Sequence, residues 1–411
     1  MNTVDKQPTL DSIAEKYVRL VLAVGVHDED YVDAYYGPKE WKEEAQKQKM
    51  LLPEIRNHSD SLLKELSSLK IPTQEMERLR CEYLKKQLEA LQAFTDLRIG
   101  KKFSFDEESK ALYDAVSPHF PEEHYAEALH SLDSLLPGKG TTQERYDAFQ
   151  KDFIIPPDKV DQVFQLALEE SRKKTRKYIA LPTEENFTVE YVTKKPWSGY
   201  NWYQGNYRSL IQVNTDLPIY IDRAIDLAGH EGYPGHHVYN VLLEHELLRK
   251  RKWLEFSVYP LFSPQSLIAE GSANYGVKVL FPEKEKMEFE QKVLFPAAGL
   301  DPDRAPEYYK IEKQTRQLNY AGNEAAREFL DGRWTEDQVV EWSMKYQLYT
   351  KERALQRLQF IKKYRSYVIN YNLGEDMVAK YIESGSRTQE ERWKKLTKLL
   401  GSPRLPSGLA L

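Results

Sequence analysis

Apolar residues recur at three- and four-residue spacing through most of the chain, with charged positions between them, which is the signature of amphipathic helices. The run from Leu10 to Val24 is the first. Ile13, Val18, Leu20, Val21 and Leu22 supply its apolar side, and Asp11 its expected cap. Ser61–Leu69 and Thr73–Leu97 alternate charge and predict a long antiparallel pair. Further helices are expected over 106–116, 121–136, 143–153 and from Pro156-Pro157 through Tyr178. Between the first helices, the segment His27–Trp41 holds Tyr31, Tyr35, Tyr36 and Trp41 beside acids. Such aromatics most often pack a helix corner; the alternative is that they line a pocket.

The period changes after Pro182. Phe187–Val192 and Ser209–Asn214 alternate as strands, with an aromatic, turn-rich stretch over 196–205 between them. Helical spacing resumes at Ile219–Gly229 and continues over Val238–Trp253, Pro264–Leu280, 306–332, 334–349 and 351–370. The tail from Ser402 is rich in Pro, Gly and Ser and is expected to be loosely ordered. The pattern predicts a mainly α fold with a small antiparallel β ribbon next to one helix of special composition. Residues 1–180 form a helical region walling a cleft in this reading, and residues 181–411 the region that carries the chemistry.

That special helix ends in His230-Glu231-Gly232-Tyr233-Pro234-Gly235-His236-His237. Three of the chain's nine histidines fall in these eight positions. Histidine is the commonest protein ligand for zinc, and an adjacent Glu suits a general base. The zinc-peptidase pattern H-E-x-x-H sets both histidines on one helical face, one turn apart. Here the position four after His230 is Pro234. On a regular helix His236 faces the wrong side, and His237 is displaced by about 10 Å along the axis. Ligands of one zinc sit about 2.1 Å from it, so an unbroken helix cannot bring either residue to His230. Pro234, Gly232 and Gly235 predict a break and a tight detour that returns one of them.

A second informative stretch is Ala269-Glu270-Gly271-Ser272-Ala273-Asn274-Tyr275-Gly276. A Glu among small residues on a downstream helix is the layout of a third zinc ligand, and small neighbours let another helix approach. Later, Tyr364-Arg365-Ser366-Tyr367 and Tyr371-Asn372-Leu373-Gly374 cluster phenols with a guanidinium suited to steadying an oxyanion. A second His-Glu pair, His245-Glu246, has no partner at metal spacing and reads as surface. Composition narrows the rest. A net charge of −5 over 411 residues, with no long basic run, argues against a nucleic-acid partner. The lone Cys81 excludes an intramolecular disulfide and a cysteine zinc site. No run approaches the ~20 apolar residues that span a bilayer, and no signal-like start is visible. The expected setting is cytoplasmic, without a membrane partner.

The stretch His230–His237 resembles the signature of the bacterial family known as domain of unknown function 885, His-Glu-x-x-Pro-Gly-His followed by His or an aromatic. Glu270-Gly271-Ser272-Ala273-Asn274-Tyr275 is similar to that family's Glu-Gly-x-Ala-x-Tyr, with Ser272 where Trp is common. Tyr35-Tyr36-Gly37-Pro38 and Tyr371-x-x-Gly374 are also family-like. The family is mostly helical and grouped with the glutamate-type zinc peptidases, and many members are lipoproteins. The resemblance implies His230, His236 and Glu270 as ligands of one Zn²⁺ per chain and Glu231 as the base. It favours His236 over His237, because the family's pattern places His there.

The expected function is a zinc-dependent hydrolase, a metallopeptidase acting on a peptide or small amide, with Tyr371 as the leading oxyanion donor and Arg365 the next. The alternatives are hydrolysis of small non-peptide amides or esters, and a non-catalytic binding protein on the same fold. The sequence is silent on substrate identity and oligomeric state.

Overall fold

A computed structural model describes residues 8–195 and 197–409. The first half is helical: α1 (Leu10–Gly25), a short strand β1 (Val32–Tyr35), α2 (Lys39–Gln48), α3 (Leu52–Ser68), α4 (Glu75–Ile99), α5 (Phe105–Tyr113), α6 (Glu122–Asp133), α7 (Thr142–Lys151) and α8 (Val160–Tyr178). A small sheet follows, β2 (Asn186–Val192), β3 (Gly199–Gly205) and β4 (Arg208–Asn214). Then come α9 (Asp222–Leu227), α10 (His236–Leu242), β5 (Val258–Pro260), α11 (Pro264–Leu280), α12 (Glu283–Phe289) and α13 (Phe295–Ala298). The chain finishes with α14 (Ala305–Thr315), α15 (Ala321–Leu330), α16 (Glu336–Tyr346), α17 (Lys351–Tyr364), α18 (Ile369–Glu383) and α19 (Gln389–Leu400). The protein is mainly α, as the helical spacing predicts.

Thr9, rather than Asp11, caps α1: its hydroxyl accepts the Ser12 N–H at 3.2 Å. Asp11 turns instead to Arg80, 2.7 Å away. The expected pair of long helices is present and antiparallel, since Arg56 of α3 bonds Asp96 of α4 at 2.9 Å while Asp60, further along α3, bonds Gln92 at 2.6 Å. Helix 351–370 of the sequence reading is broken at Arg365, whose φ is 55°. Buried Glu108 takes the freed groups, accepting from the Ser366 N–H at 3.1 Å and its hydroxyl at 2.7 Å.

The sheet has the order β2-β4-β3. The antiparallel ribbon is β3–β4, closed by a tight turn in which Asn206 and Tyr207 have φ of 54° and 61°. Both values are of the kind a two-residue hairpin turn demands. The two strands read from the sequence, Phe187–Val192 and Ser209–Asn214, pair parallel to each other. The aromatic stretch supplies the intervening edge strand, so β4 is central. A separate pairing, β1 with β5, ties the N-terminal helices to the segment just before α11.

Buried apolar side chains of both regions join one cluster, from Ile13 through Leu227 to Leu409. The tail is part of it: Leu405, Pro406 and Leu409 are buried, and the Ser407 N–H donates to Asp114 at 3.1 Å. Its Pro, Gly and Ser content disguises two leucines with core to cover. No described helix is long and apolar enough to cross a membrane.

Candidate metal centre

The detour after α9 is built as the sequence requires. The helix widens into a π turn over Ala228–Gly232, in which the Tyr233 N–H reaches back to the Ala228 carbonyl at 3.0 Å. The chain then doubles back through the cis Tyr233–Pro234 peptide, and α10 starts at His236. At the fold-back, the Gly235 N–H donates to the Gly229 carbonyl at 2.9 Å. A Cβ on residue 235 would lie 1.9 Å from the His230 carbonyl oxygen, so only glycine fits. The result is that His236, six positions on, turns its ring to His230, with ring centroids 4.6 Å apart.

Three ligand atoms converge there. His230 Nε2 and His236 Nε2 are 3.1 Å apart, and Glu270 Oε2 lies 3.2 Å from the first and 3.7 Å from the second. Donors about 2.1 Å from a tetrahedral zinc are separated by about 3.4 Å, which these three edges bracket. The tautomer of His230 suits ligation. Asn274 donates its amide N–H to the Tyr371 carbonyl at 2.9 Å, which turns its oxygen toward His230 Nδ1 at 2.8 Å. Nδ1 therefore carries the proton, and Nε2 presents a lone pair. Two facing imidazole nitrogens beside a carboxylate need a cation between them, whether proton or metal. As a proton site, His236 is pulled down by burial but held up at about 9, chiefly by Glu270. Burial raises Glu270 in turn, yet His236 and His230 hold it well below the usual carboxylate range.

Glu270 reaches this point because α11 and α18 touch backbone to backbone. A Cβ on Gly271 would lie 2.3 Å from the Gly374 carbonyl oxygen. The close crossing brings Tyr367 to Glu270, its hydroxyl donating to Oε1 at 2.8 Å. Oε2 of Glu270 is buried with no hydrogen-bond partner, and so is Oε2 of Glu231. Buried carboxylate oxygens are rarely left so unless a ligand is due. Glu231 packs against Gly199 at the edge strand β3, and burial pushes its pKa up. His230, Glu231, His236, Glu270 and Tyr371 all line one cavity of about 1230 Å³, which Tyr146, Asp147 and Gln150 of the N-terminal region also wall. Donor set, edge lengths and unpaired oxygens fit one divalent ion.

His237 takes no part. It is fully buried, with Nδ1 2.8 Å from the Ser209 hydroxyl and Nε2 2.9 Å from Glu185. Tyr371 lies on the cavity wall beside Tyr367, ring centroids 5.8 Å apart. Arg365 does not reach the cavity; its Nε donates to Glu108 at 2.8 Å. His245 sits near the surface, 3.0 Å from the Tyr207 hydroxyl. One lining residue, Asp33, was not singled out from sequence. Asp33 of β1 accepts from the Tyr200 hydroxyl, and burial pushes it up to about 6. The signal was the mixture of acids and aromatics over 27–41; its aromatics pack the corner and core, and of that segment Asp33 lines the cavity.

No family model matches the chain, and neither does any curated protein sequence. Among solved structures, the chain is similar to one described as a "putative lipoprotein" from Colwellia psychrerythraea, with 14% identity, a TM-score of 0.55, and coverage of 98% of this chain and 76% of that one. A "putative lipoprotein of unknown function" from Shewanella oneidensis is matched at 12% identity and a TM-score of 0.44, over 97% of this chain and 79% of that one. The first likeness establishes a shared fold.

Proposed function

We propose that the chain is a zinc-dependent hydrolase, a metallopeptidase, holding one ion with His230, His236 and Glu270. The observation that carries this is the convergence of the three ligand atoms at separations of 3.1, 3.2 and 3.7 Å beside a buried, unpaired Glu231. The motif resemblance to the domain-885 family and the glutamate-type zinc peptidases points the same way. When bound, zinc polarises a carbonyl and acidifies a water. Glu231 takes the proton of the attacking water and hands it to the leaving nitrogen as the C–N bond breaks. Burial raises its pKa, which makes the carboxylate a stronger base than a solvated one. Tyr371 donates from the cavity wall to the carbonyl oxygen as charge develops. Asn274 and Tyr367 orient His230 and Glu270. β3, an edge strand of its sheet beside Glu231, is where an extended substrate would lie.

Elemental analysis of the zinc-loaded protein tests the site: about one zinc per chain is expected, lost in His230→Ala and Glu270→Ala. Glu231→Gln should keep the metal and lower peptide turnover by about 10²- to 10⁴-fold. Full activity in that variant overturns the mechanism.

A further inference from the structure

One wall of the cavity carries guanidinium groups with nothing to neutralise them. Arg353 and Arg357 stand one turn apart on the same face of α17, and both line the cavity. Neither has a carboxylate within 4.0 Å among the described residues. Elsewhere, buried and half-buried arginines are paired: Arg80 with Glu255, Arg327 with Glu324, Arg172 with Glu185. Acids that line the same cavity are engaged with other groups, Asp226 with Lys286 at 2.6 Å, Asp222 with the Tyr308 hydroxyl at 2.6 Å, Asp147 with Gln143 at 2.9 Å and Glu312 with the Tyr146 hydroxyl at 3.4 Å. Arg357 is half-buried and its Nε is enclosed without a partner. Keeping such a group out of water without a counter-charge costs stability, and the cost is offset only when an anion arrives.

The position relates the pair to the metal centre. The Arg357 guanidinium lies over Phe360 at 4.9 Å, Phe360 packs on Tyr371 at 6.3 Å, and Tyr371 on Tyr367, which bonds Glu270. Arg353 lies over Tyr349 at 4.9 Å. Burial alone would raise the Tyr349 phenol, yet Arg353, Arg357 and then Arg223 hold it below its ordinary value. Arg223 lines the cavity from α9, the helix that leads to His230.

We propose that Arg357 and Arg353 bind the C-terminal carboxylate of a peptide substrate, which makes the protein an exopeptidase of the carboxypeptidase type. The inference rests on the hydrolase reading for the reaction and on the arginine wall for the specificity. A guanidinium fork matches any planar or tetrahedral oxyanion, carboxylate or phosphate. A terminal carboxylate held there directs the preceding amides of the peptide along the shared cavity wall toward the metal centre. It also excludes substrates whose chain continues past that wall.

The test is calorimetric binding of benzoyl-glycyl-phenylalanine and of its C-terminal amide to the zinc-loaded Glu231→Gln protein, with inorganic phosphate as competitor. The free acid should bind about 10- to 100-fold more tightly than the amide. Adding Arg357→Gln should erase that preference, Arg353→Gln should reduce it, and Arg357→Lys should restore part of it. Equal binding of acid and amide, no saturable binding of either, a preference that survives both arginine variants, or tighter binding of phosphate than of the free acid would each overturn the proposal. Turnover by the wild type separates the two readings. Equal cleavage of acid and amide leaves a peptidase without this specificity. Selective binding of the acid without cleavage leaves the anion site and removes the peptidase.

Discussion

His236 and His237 are neighbours in the chain, and both face a buried glutamate, yet they belong to opposite kinds of site. Around His237 every group is answered. Glu185 receives His237, the Tyr233 hydroxyl at 2.7 Å and Arg172 and Arg176, while Ser209 holds the other ring nitrogen. Burial raises Glu185, but these donors outweigh it and bring it down to about 2. Burial pushes His237 down, so it stays neutral and donates from Nε2. Around His236 the same residue types leave Glu270 Oε2 and Glu231 Oε2 without partners, on the wall of a cavity. Residue identity does not separate a structural cluster from a reactive one. The separation lies in whether the hydrogen-bonding capacity has been used up.

The contrast can be broken first at the histidines. His236→Ala should lose the metal and all turnover, measured by elemental analysis and peptide hydrolysis. Next is acid stability. Glu185 at about 2 when folded, against an ordinary value of 4.5, contributes stability that is present above pH ~4.5 and drains away as pH falls toward 2. The lost amount is about 3 kcal/mol, and Glu185→Gln should flatten the denaturation midpoint across that window. His237→Ala should keep about one zinc per chain while lowering stability by about 1–3 kcal/mol in urea unfolding. The smallest effect belongs to a support residue. Asn274→Ala should weaken zinc affinity by about 10- to 100-fold, read by competition with a chelator, without changing the fold.

The sequence displayed the candidate ligands because a metal site would need rare residues close together, and because Pro234 and the flanking glycines announce a broken helix. It left His236 and His237 undivided by spacing alone, since the choice depends on where Ser209 and Glu185 lie, and these are distant in the chain. The strand pairing was legible only in part. Period-two alternation marks strands but is indifferent to direction, and the edge strand Gly199–Gly205 was masked by its aromatics. Arg365 was misplaced for a similar reason: Glu108, more than 250 residues earlier, claims it. Asp33 and the arginines of α17 are spread across the chain without a local pattern, so only the folded cavity assembles them.

The contact between Gly271 and Gly374 sets a timetable for biosynthesis. Glu270 emerges from the ribosome about 100 residues before Tyr367, whose hydroxyl will orient it. At roughly 5–20 residues per second, that interval lasts about 5–20 seconds. Through it, the nascent chain already carries both histidines and Glu231, but Glu270 has no helix against which to set its angle. On the proposed reading, a centre whose parts come into register only when α18 docks stays unassembled while the chain is still being made.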